Sequence, residues 1–249
     1  MNELEYKNFY DRVGEINGWD FSKIKSTSIG VQWNFYEEVK QVCKPNDILL
    51  DIGTGGGENV LNIASSALLL VGIDCSNGMM KTAKSNLKKS RVANVRFIQM
   101  ASEDLQFPND FFDVISSCHA PFIALEVAKV LKEGGTFLTQ QVSEADKLNL
   151  KQAFGRGQSF GEIDGALKDK YIQELKKAGF VEIHSFDYNA IEYYQRPEDL
   201  IFLLKHTPTI PNFGQKKKDF DILNNFIENN RTNKGIRTNS KRFLIIANK

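Results

Sequence analysis

Ile48-Leu49-Leu50-Asp51-Ile52-Gly53-Thr54-Gly55-Gly56-Gly57-Glu58 is an apolar run that ends in a carboxylate and opens into spaced glycines. Such a run reads as a buried parallel strand entering a tight turn, where missing side chains let a ligand lie against the main chain. A second apolar run, Leu68-Leu69-Leu70-Val71-Gly72-Ile73, ends in Asp74 and places another carboxylate at the tip of the neighbouring strand. In open α/β sheets ligands bind outside the carboxyl ends of the strands, where the topology changes direction, and a strand-end acid there can grip ribose hydroxyls.

Strand-like runs at 48–51, 68–74, 95–100 and 113–117 alternate with helical stretches, which predicts repeated βαβ units, a parallel sheet and right-handed crossovers. Ser76 is placed to cap a helix through Leu87, Pro121 suits the first turn of the next, and Gly134 ends it. A fifth strand is expected over 136–142. Tyr171, Ile172, Leu175 and Ala178 then form one helix face stopped by Gly179, followed by strands over 181–190 and 242–247. Three parts are expected: an N-terminal helical flap (1–46), a core (47–191 and 241–249), and a helical insertion (192–240) that covers the substrate side. The insertion holds one short helix from Pro197 through His206 and a second with Phe220, Leu223 and Phe226 on one face.

The glycine turn has two rival ligands. A nicotinamide dinucleotide wants G-x-G-x-x-G, but the third glycine position here is Glu58. A pyrophosphate also wants helix-terminal N–H groups without nearby negative charge, whereas this turn is flanked by Asp51 and Glu58. The acids favour a cationic ligand, and S-adenosylmethionine carries a sulfonium, an ammonium and an adenosine.

From about Val39 to Val142 the sequence resembles the class I S-adenosylmethionine-dependent methyltransferases, in the group typified by the ubiquinone-biosynthesis methyltransferases. The resemblance rests on Asp51-x-Gly53-x-Gly55-x-Gly57, on Gly72-Ile73-Asp74-Cys75-Ser76 followed by Met79-Met80, and on Ser102-Glu103-Asp104-Leu105-Gln106-Phe107-Pro108. It continues through Phe112-Asp113-Val114-Ile115 to Val130-Leu131-Lys132-Glu133-Gly134-Gly135. It implies a Rossmann-like, doubly wound, mostly parallel seven-stranded sheet whose last strand is antiparallel, slotted between the fifth and sixth. It also implies a role for each motif residue. Gly53, Gly55 and Gly57 would let the methionine portion lie on the main chain, with Asp51 orienting its amino group directly or through water. Asp74 would hold the ribose hydroxyls, Cys75 and Met79 would pack on the adenine faces, and Ser102 with Glu103 would reach the adenine edge. Cys118 would offer its carbonyl to the ammonium. One departure is that relatives usually carry Gly-Asp where this chain has Met100-Ala101.

Methyl transfer from a sulfonium needs mainly alignment and exclusion of water, so a universal catalytic residue is not expected. If the acceptor bears a proton, His119, directly after the fourth strand, is the candidate base; His206 is a weaker one and His184 is expected to face outward. Cys118 beside His119 makes a poor nucleophile pair, because adjacent residues on an extended chain point to opposite faces.

With 32 basic and 31 acidic residues, no global charge drives the chain to nucleic acid or membrane. Three scattered cysteines and three scattered histidines offer no zinc-ligand spacing, and the cysteines read as reduced thiols of a cytoplasmic protein. The first residues lack the apolar segment of a leader peptide, and no apolar run is long enough for a bilayer. A small-molecule acceptor is expected. The alternatives are an RNA methyltransferase, using Lys216-Lys217-Lys218, Arg231, Lys234, Arg237, Lys241 and Arg242 as a phosphate-tracking strip, a non-catalytic binding module, and a dehydrogenase.

Overall fold

The computed structural model describes residues 3–249. The chain opens with helix α1 (Glu3–Ile16), strand β1 (Ser26–Ile29) and helix α2 (Phe35–Val42), the last capped by Asn34, whose side chain accepts the Tyr36 and Glu37 N–H groups. Strand β2 (Ile48–Ile52), short helix α3 (Glu58–Asn62), strand β3 (Leu69–Asp74), helix α4 (Asn77–Lys89) and strand β4 (Val95–Gln99) follow. Then come β5 (Phe112–Cys118), α5 (Ala124–Val130), β6 (Leu131–Val142), α6 (Leu148–Phe154), α7 (Ala166–Lys177) and β7 (Ile183–Tyr194). The chain ends with α8 (Pro197–His206), α9 (Lys218–Asn230), β8 (Arg231–Thr232) and β9 (Gly235–Asn248).

The strand order is β1-β7-β9-β6-β5-β2-β3-β4, with β8 folded onto β9 as a hairpin. Strands β4, β3, β2, β5 and β6 run parallel, and β9 enters antiparallel between β6 and β7. The expected seven-stranded core is therefore present, with its one reversed strand in the expected slot. The chain moves outward from β2 through β3 to β4, then returns to build β5 and β6 on the other side of β2. That reversal at β2/β5 opens the crevice in which ligands of such sheets sit.

Each face of the sheet has its own apolar layer. Leu50, Ile52, Ile73, Ile115, Phe122, Val127, Phe137 and Leu175 form one; Phe35, Val39, Leu49, Val60, Leu70, Met80, Val95 and Leu138 form the other. Near-continuous burial along β2 and β3 is what an all-parallel centre covered on both faces requires. A third cluster, Leu150, Phe154, Tyr194, Leu200, Leu204, Leu223, Phe226 and Ile236, gives the insertion a small core of its own.

Three features depart from the sequence expectation. The N-terminal part is not wholly helical, because β1 pairs antiparallel with the outer edge of β7. Strands β7 and β9 run on together beyond the sheet body, from Ala190 opposite Ser240 to Tyr194 opposite Ile236, so the strand pair enters the segment assigned to the insertion. Helix α5 begins at Ala124 rather than at Pro121, since His119 turns the chain in the left-handed conformation (φ 57°) and leaves 119–121 as a wall of the crevice.

Candidate functional site

The turn after β2 places Gly53, Gly55 and Gly57 at positive φ (73°, 58° and 76°), a conformation that disfavours residues with a Cβ. Space reinforces this, and the three glycines differ in what they face. A Cβ on Gly53 would lie 2.1 Å from the Ala120 side chain, and one on Gly55 would lie 3.0 Å from Trp19. One on Gly57 would strike the Phe97 ring at 2.4 Å, so Gly57 serves close packing of α3 against β4 and does not line the cleft.

Asp74 at the tip of β3 is held by two main-chain donors. Gly55 N–H donates to Oδ2 at 3.0 Å and Ser76 N–H to Oδ1 at 2.9 Å. Its rotamer is thereby fixed at the mouth of the crevice, while each oxygen keeps acceptor capacity for a ligand hydroxyl. Burial raises its pKa, against the lowering by those two hydrogen bonds.

Asp51 is fully buried at the end of β2. Ser116 Oγ donates to its Oδ1 at 2.6 Å, and the hydroxyls of Thr54 and Tyr36 face the same carboxyl group, yet Oδ2 has no hydrogen-bond partner. Burial pushes the pKa up to about 7. An orphaned buried carboxylate oxygen is costly unless something charged or donating satisfies it.

A cleft of about 730 Å³ lies above these groups. Gly53, Gly55, Asp74, Cys75, Met79, Ser102, Glu103, Cys118 and His119 all line it, together with Ile52, Ile73, Met100, Ala120 and Pro121. Asp51 stands behind the lining, beneath the turn. The cleft's mixed apolar and acidic lining is that of a small-molecule site. Met100, the departure noted in the sequence, contributes a thioether to the wall.

Two lining residues, Tyr10 and Trp19, belong to the N-terminal segment expected to form a flap, and nothing in the sequence marked Tyr10 for a role there. Helix α1 crosses α4 at two glycines: a Cβ on Gly14 would sit 2.4 Å from the Met79 nitrogen, and one on Gly78 would sit 2.1 Å from the Asp11 carbonyl oxygen. Asp11 Oδ1 also accepts from Ser76 Oγ (2.8 Å) and Gly78 N–H (3.2 Å), which fastens α1 to the helix start beside Asp74. This close crossing delivers Tyr10 to the cleft, where burial raises its hydroxyl pKa. Trp19 N–H donates to Glu58 Oε1 at 3.2 Å, so the residue that breaks the dinucleotide fingerprint anchors the N-terminal cover.

A larger cleft of about 1880 Å³ continues from the first and shares Tyr10, Cys75, Glu103, His119 and Pro121 with it. Its other walls come from α1 (Leu4, Tyr6, Lys7), the end of β6 (Gln141) and the 158–171 region (Gln158, Leu167, Tyr171). No residue of 192–240 lines either cleft. The insertion expected to cover the methyl end instead lies on the outer side of α1, where Leu204, His206 and Phe213 line a groove with Phe9, Val13 and Ile16. Contacts pass inward through rings: Phe202 on Phe21 (6.1 Å), Phe21 on Trp19 (5.0 Å) and Trp19 on Tyr10 (5.8 Å). The insertion shares its own core with α6 and the β7/β9 extension.

His119 and Cys118 are both neutral here. Burial holds the imidazole pKa down to about 3 and pushes the thiol up to about 12, so no thiolate–imidazolium pair exists. His184 is exposed on β7, as expected. The basic strip is partly spent on internal pairs: Arg242 with Asp146 and Lys241 with Asp164. Lys216, Lys217 and Lys218 line neither cleft.

Residues 49–139 match the family model described as a methyltransferase domain. The chain is 36% identical over 103 residues to the methyltransferase YcgJ of Bacillus subtilis, covering 39% of this chain and 41% of that protein. It is 30% identical over 137 residues to the ubiquinone/menaquinone biosynthesis C-methyltransferase UbiE of Geotalea daltonii, covering 50% and 58%. The sequence matches thus span about half the length of these relatives. In fold, the crystal structure of Bacillus subtilis YcgJ superposes with a TM-score of 0.59 at 21% identity, covering 86% of this chain and 97% of that one. With the strand order, the glycine turn and the two strand-end acids, these matches show that residues 49–139 form a methyltransferase domain similar to the class I S-adenosylmethionine-dependent methyltransferases.

Proposed function

We propose that this protein binds S-adenosylmethionine in the cleft above Asp74 and transfers its methyl group to a small molecule held in the adjoining cleft. The observation that carries this is the pair of confluent clefts, one walled by the glycine turn and Asp74, the other by tyrosines and glutamines, meeting at His119.

The residues suit the cofactor. Asp74, fixed by Gly55 and Ser76, would accept from the ribose hydroxyls. Met79, Met100 and Cys75 would enclose the adenine, with Ser102 and Glu103 at its edge. The unpartnered Oδ2 of Asp51 would attract the ammonium through an intervening water or a small movement of the turn. When bound, S-adenosylmethionine supplies an electrophilic methyl group on a sulfonium. The chain's own work is then to hold the acceptor in line, and to exclude water with Tyr10 and Trp19 as the cover. The insertion would act as a brace for that cover. Its aromatic contacts with the 19–21 segment support this role, and α1 with the 158–171 region would form the substrate walls.

Tyr6, Tyr10, Tyr171, Leu4 and Leu167 favour an acceptor with an apolar or aromatic body, and Gln141, Gln158 and Lys7 favour polar substituents on it. Incubation with S-adenosylmethionine labelled in its methyl group, offered separately to small-molecule extracts and to RNA, tests the reading. Label in a small organic product supports it. Label in RNA, or none in either despite cofactor binding, overturns it.

A further inference from the structure

Gln140 lies on β6 opposite Cys118, and its carbonyl accepts the His119 N–H at 2.8 Å. Its side chain joins the N-terminal segment to the site: Trp33 Nε1–H donates to Oε1 at 2.7 Å, and Nε2 lies 3.0 Å from His119 Nε2 and 3.5 Å from Cys118 Sγ. Trp33 is itself packed on Tyr188 at 4.6 Å.

An indole N–H can only donate a hydrogen bond. The carbonyl end of the Gln140 amide must therefore face Trp33, and its NH₂ must face His119. That makes Nε2 the lone-pair nitrogen of the imidazole, so the ring proton resides on Nδ1. Nδ1 has no protein partner among the described residues, while His119 lines both clefts. Burial chiefly keeps the ring neutral; Arg242 on β9 and Lys147 after β6 act in the same direction and Asp146 opposes them.

We propose that Gln140, oriented by Trp33, is a positioning residue that holds His119 as an Nδ1–H donor, presented to an oxygen atom of the methyl acceptor. The tautomer follows from the donor geometry alone; the identity of the molecule receiving the hydrogen bond rests on the methyl-transfer reading. His119 is then not the base considered from sequence, since its lone pair is already committed to Gln140. The acceptor is of a class that arrives with its nucleophilic lone pair free, such as a carboxylate, phenolate or enolate, and needs an oxygen held in place.

The test is two-bond ¹⁵N–¹H NMR of the full chain labelled in its three histidines, with His119 assigned by His119→Gln. Expected is an Nδ1–H tautomer that does not titrate between pH 5 and 8. Gln140→Glu replaces a donor by a carboxylate that can only accept, and should move the proton to Nε2 and bring the titration up to or above the usual histidine range. Trp33→Phe frees the amide to rotate and should give a mixture of tautomers. Calorimetry with S-adenosylhomocysteine checks that the variants retain the folded cofactor cleft. An Nε2–H ring in the unaltered protein, a titration near the ordinary value, or a tautomer indifferent to both substitutions overturns the proposal. Absence of the Nδ1–H tautomer from the unaltered protein with cofactor binding intact refutes this inference alone, whereas its presence there without cofactor binding refutes the methyl-transfer reading alone.

Discussion

Asp74 Oδ2 accepts the main-chain N–H of Gly55 at 3.0 Å, tying the tip of one strand to the glycine turn of its neighbour. The same carboxylate that would meet the ribose therefore also fixes the turn that would meet the methionine portion. Asp74→Ala should weaken S-adenosylmethionine binding by about 1–3 kcal/mol, the range for losing charge-assisted hydrogen bonds. Asp74→Asn, which still accepts through one oxygen, should lose less. Calorimetric titration of both variants checks the order; equal affinities in all three proteins would remove Asp74 from the site.

The strand-end acids and the glycine turn were legible because burial on both faces makes β2 and β3 continuous apolar runs, each closed by one carboxylate. Other parts carried no such pattern. All four residues of β1 are exposed, so only main-chain pairing to β7 makes them a strand. In the first half of β9 the inward positions include Thr238 and Ser240, and alternation there is polar against polar. Tyr10 reaches the cleft through a helix crossing set by Gly14 and Gly78, residues 64 positions apart whose fit no local periodicity announces. The basic strip looked continuous in sequence because its acidic partners, Asp146 and Asp164, lie far from it along the chain.

Asp51 is expected to make cofactor binding depend on pH. Its carboxyl is raised to about 7 in the ligand-free fold, so it is largely protonated below that pH and charged above it. A cationic ligand favours the carboxylate, and affinity for S-adenosylmethionine should rise with pH and level off above 7. Below 7 it should fall by up to about tenfold per unit. Titrations at pH 6, 7 and 8, repeated with Asp51→Asn, check this; the variant should bind more weakly at pH 8 and show a flatter profile. The same upward shift means that ionisation works against the ligand-free fold. That destabilisation is absent near pH 4, grows towards pH 7 and is complete above it. Ligand-free Asp51→Asn should accordingly gain stability over the parent at pH 8 relative to pH 4.

The crossing of α1 over α4 leaves no room for a methyl group. Gly78→Ala would place its Cβ 2.1 Å from the Asp11 carbonyl oxygen, and main chain must move to relieve it. A cost of about 1–3 kcal/mol is expected for such overpacking. Because α1 carries Tyr10, cofactor affinity should fall together with Tm. A variant with lowered Tm but unaltered affinity would show that α1 does not cover the cofactor.

Glu58 separates this turn from a dinucleotide fingerprint and holds the Trp19 N–H. Glu58→Gln keeps an acceptor and should be mild. Glu58→Gly completes the fingerprint by sequence but releases Trp19, and should weaken S-adenosylmethionine binding without creating affinity for NADH. Calorimetry with both ligands distinguishes these outcomes.

The most direct test of the account is calorimetric titration of the whole chain with S-adenosylmethionine, S-adenosylhomocysteine and NADH, with Asp74→Ala as control. Saturable binding of the first two, weakened in the variant and absent for NADH, is the predicted result. Binding of NADH alone, or of S-adenosylmethionine indifferent to Asp74, would contradict it.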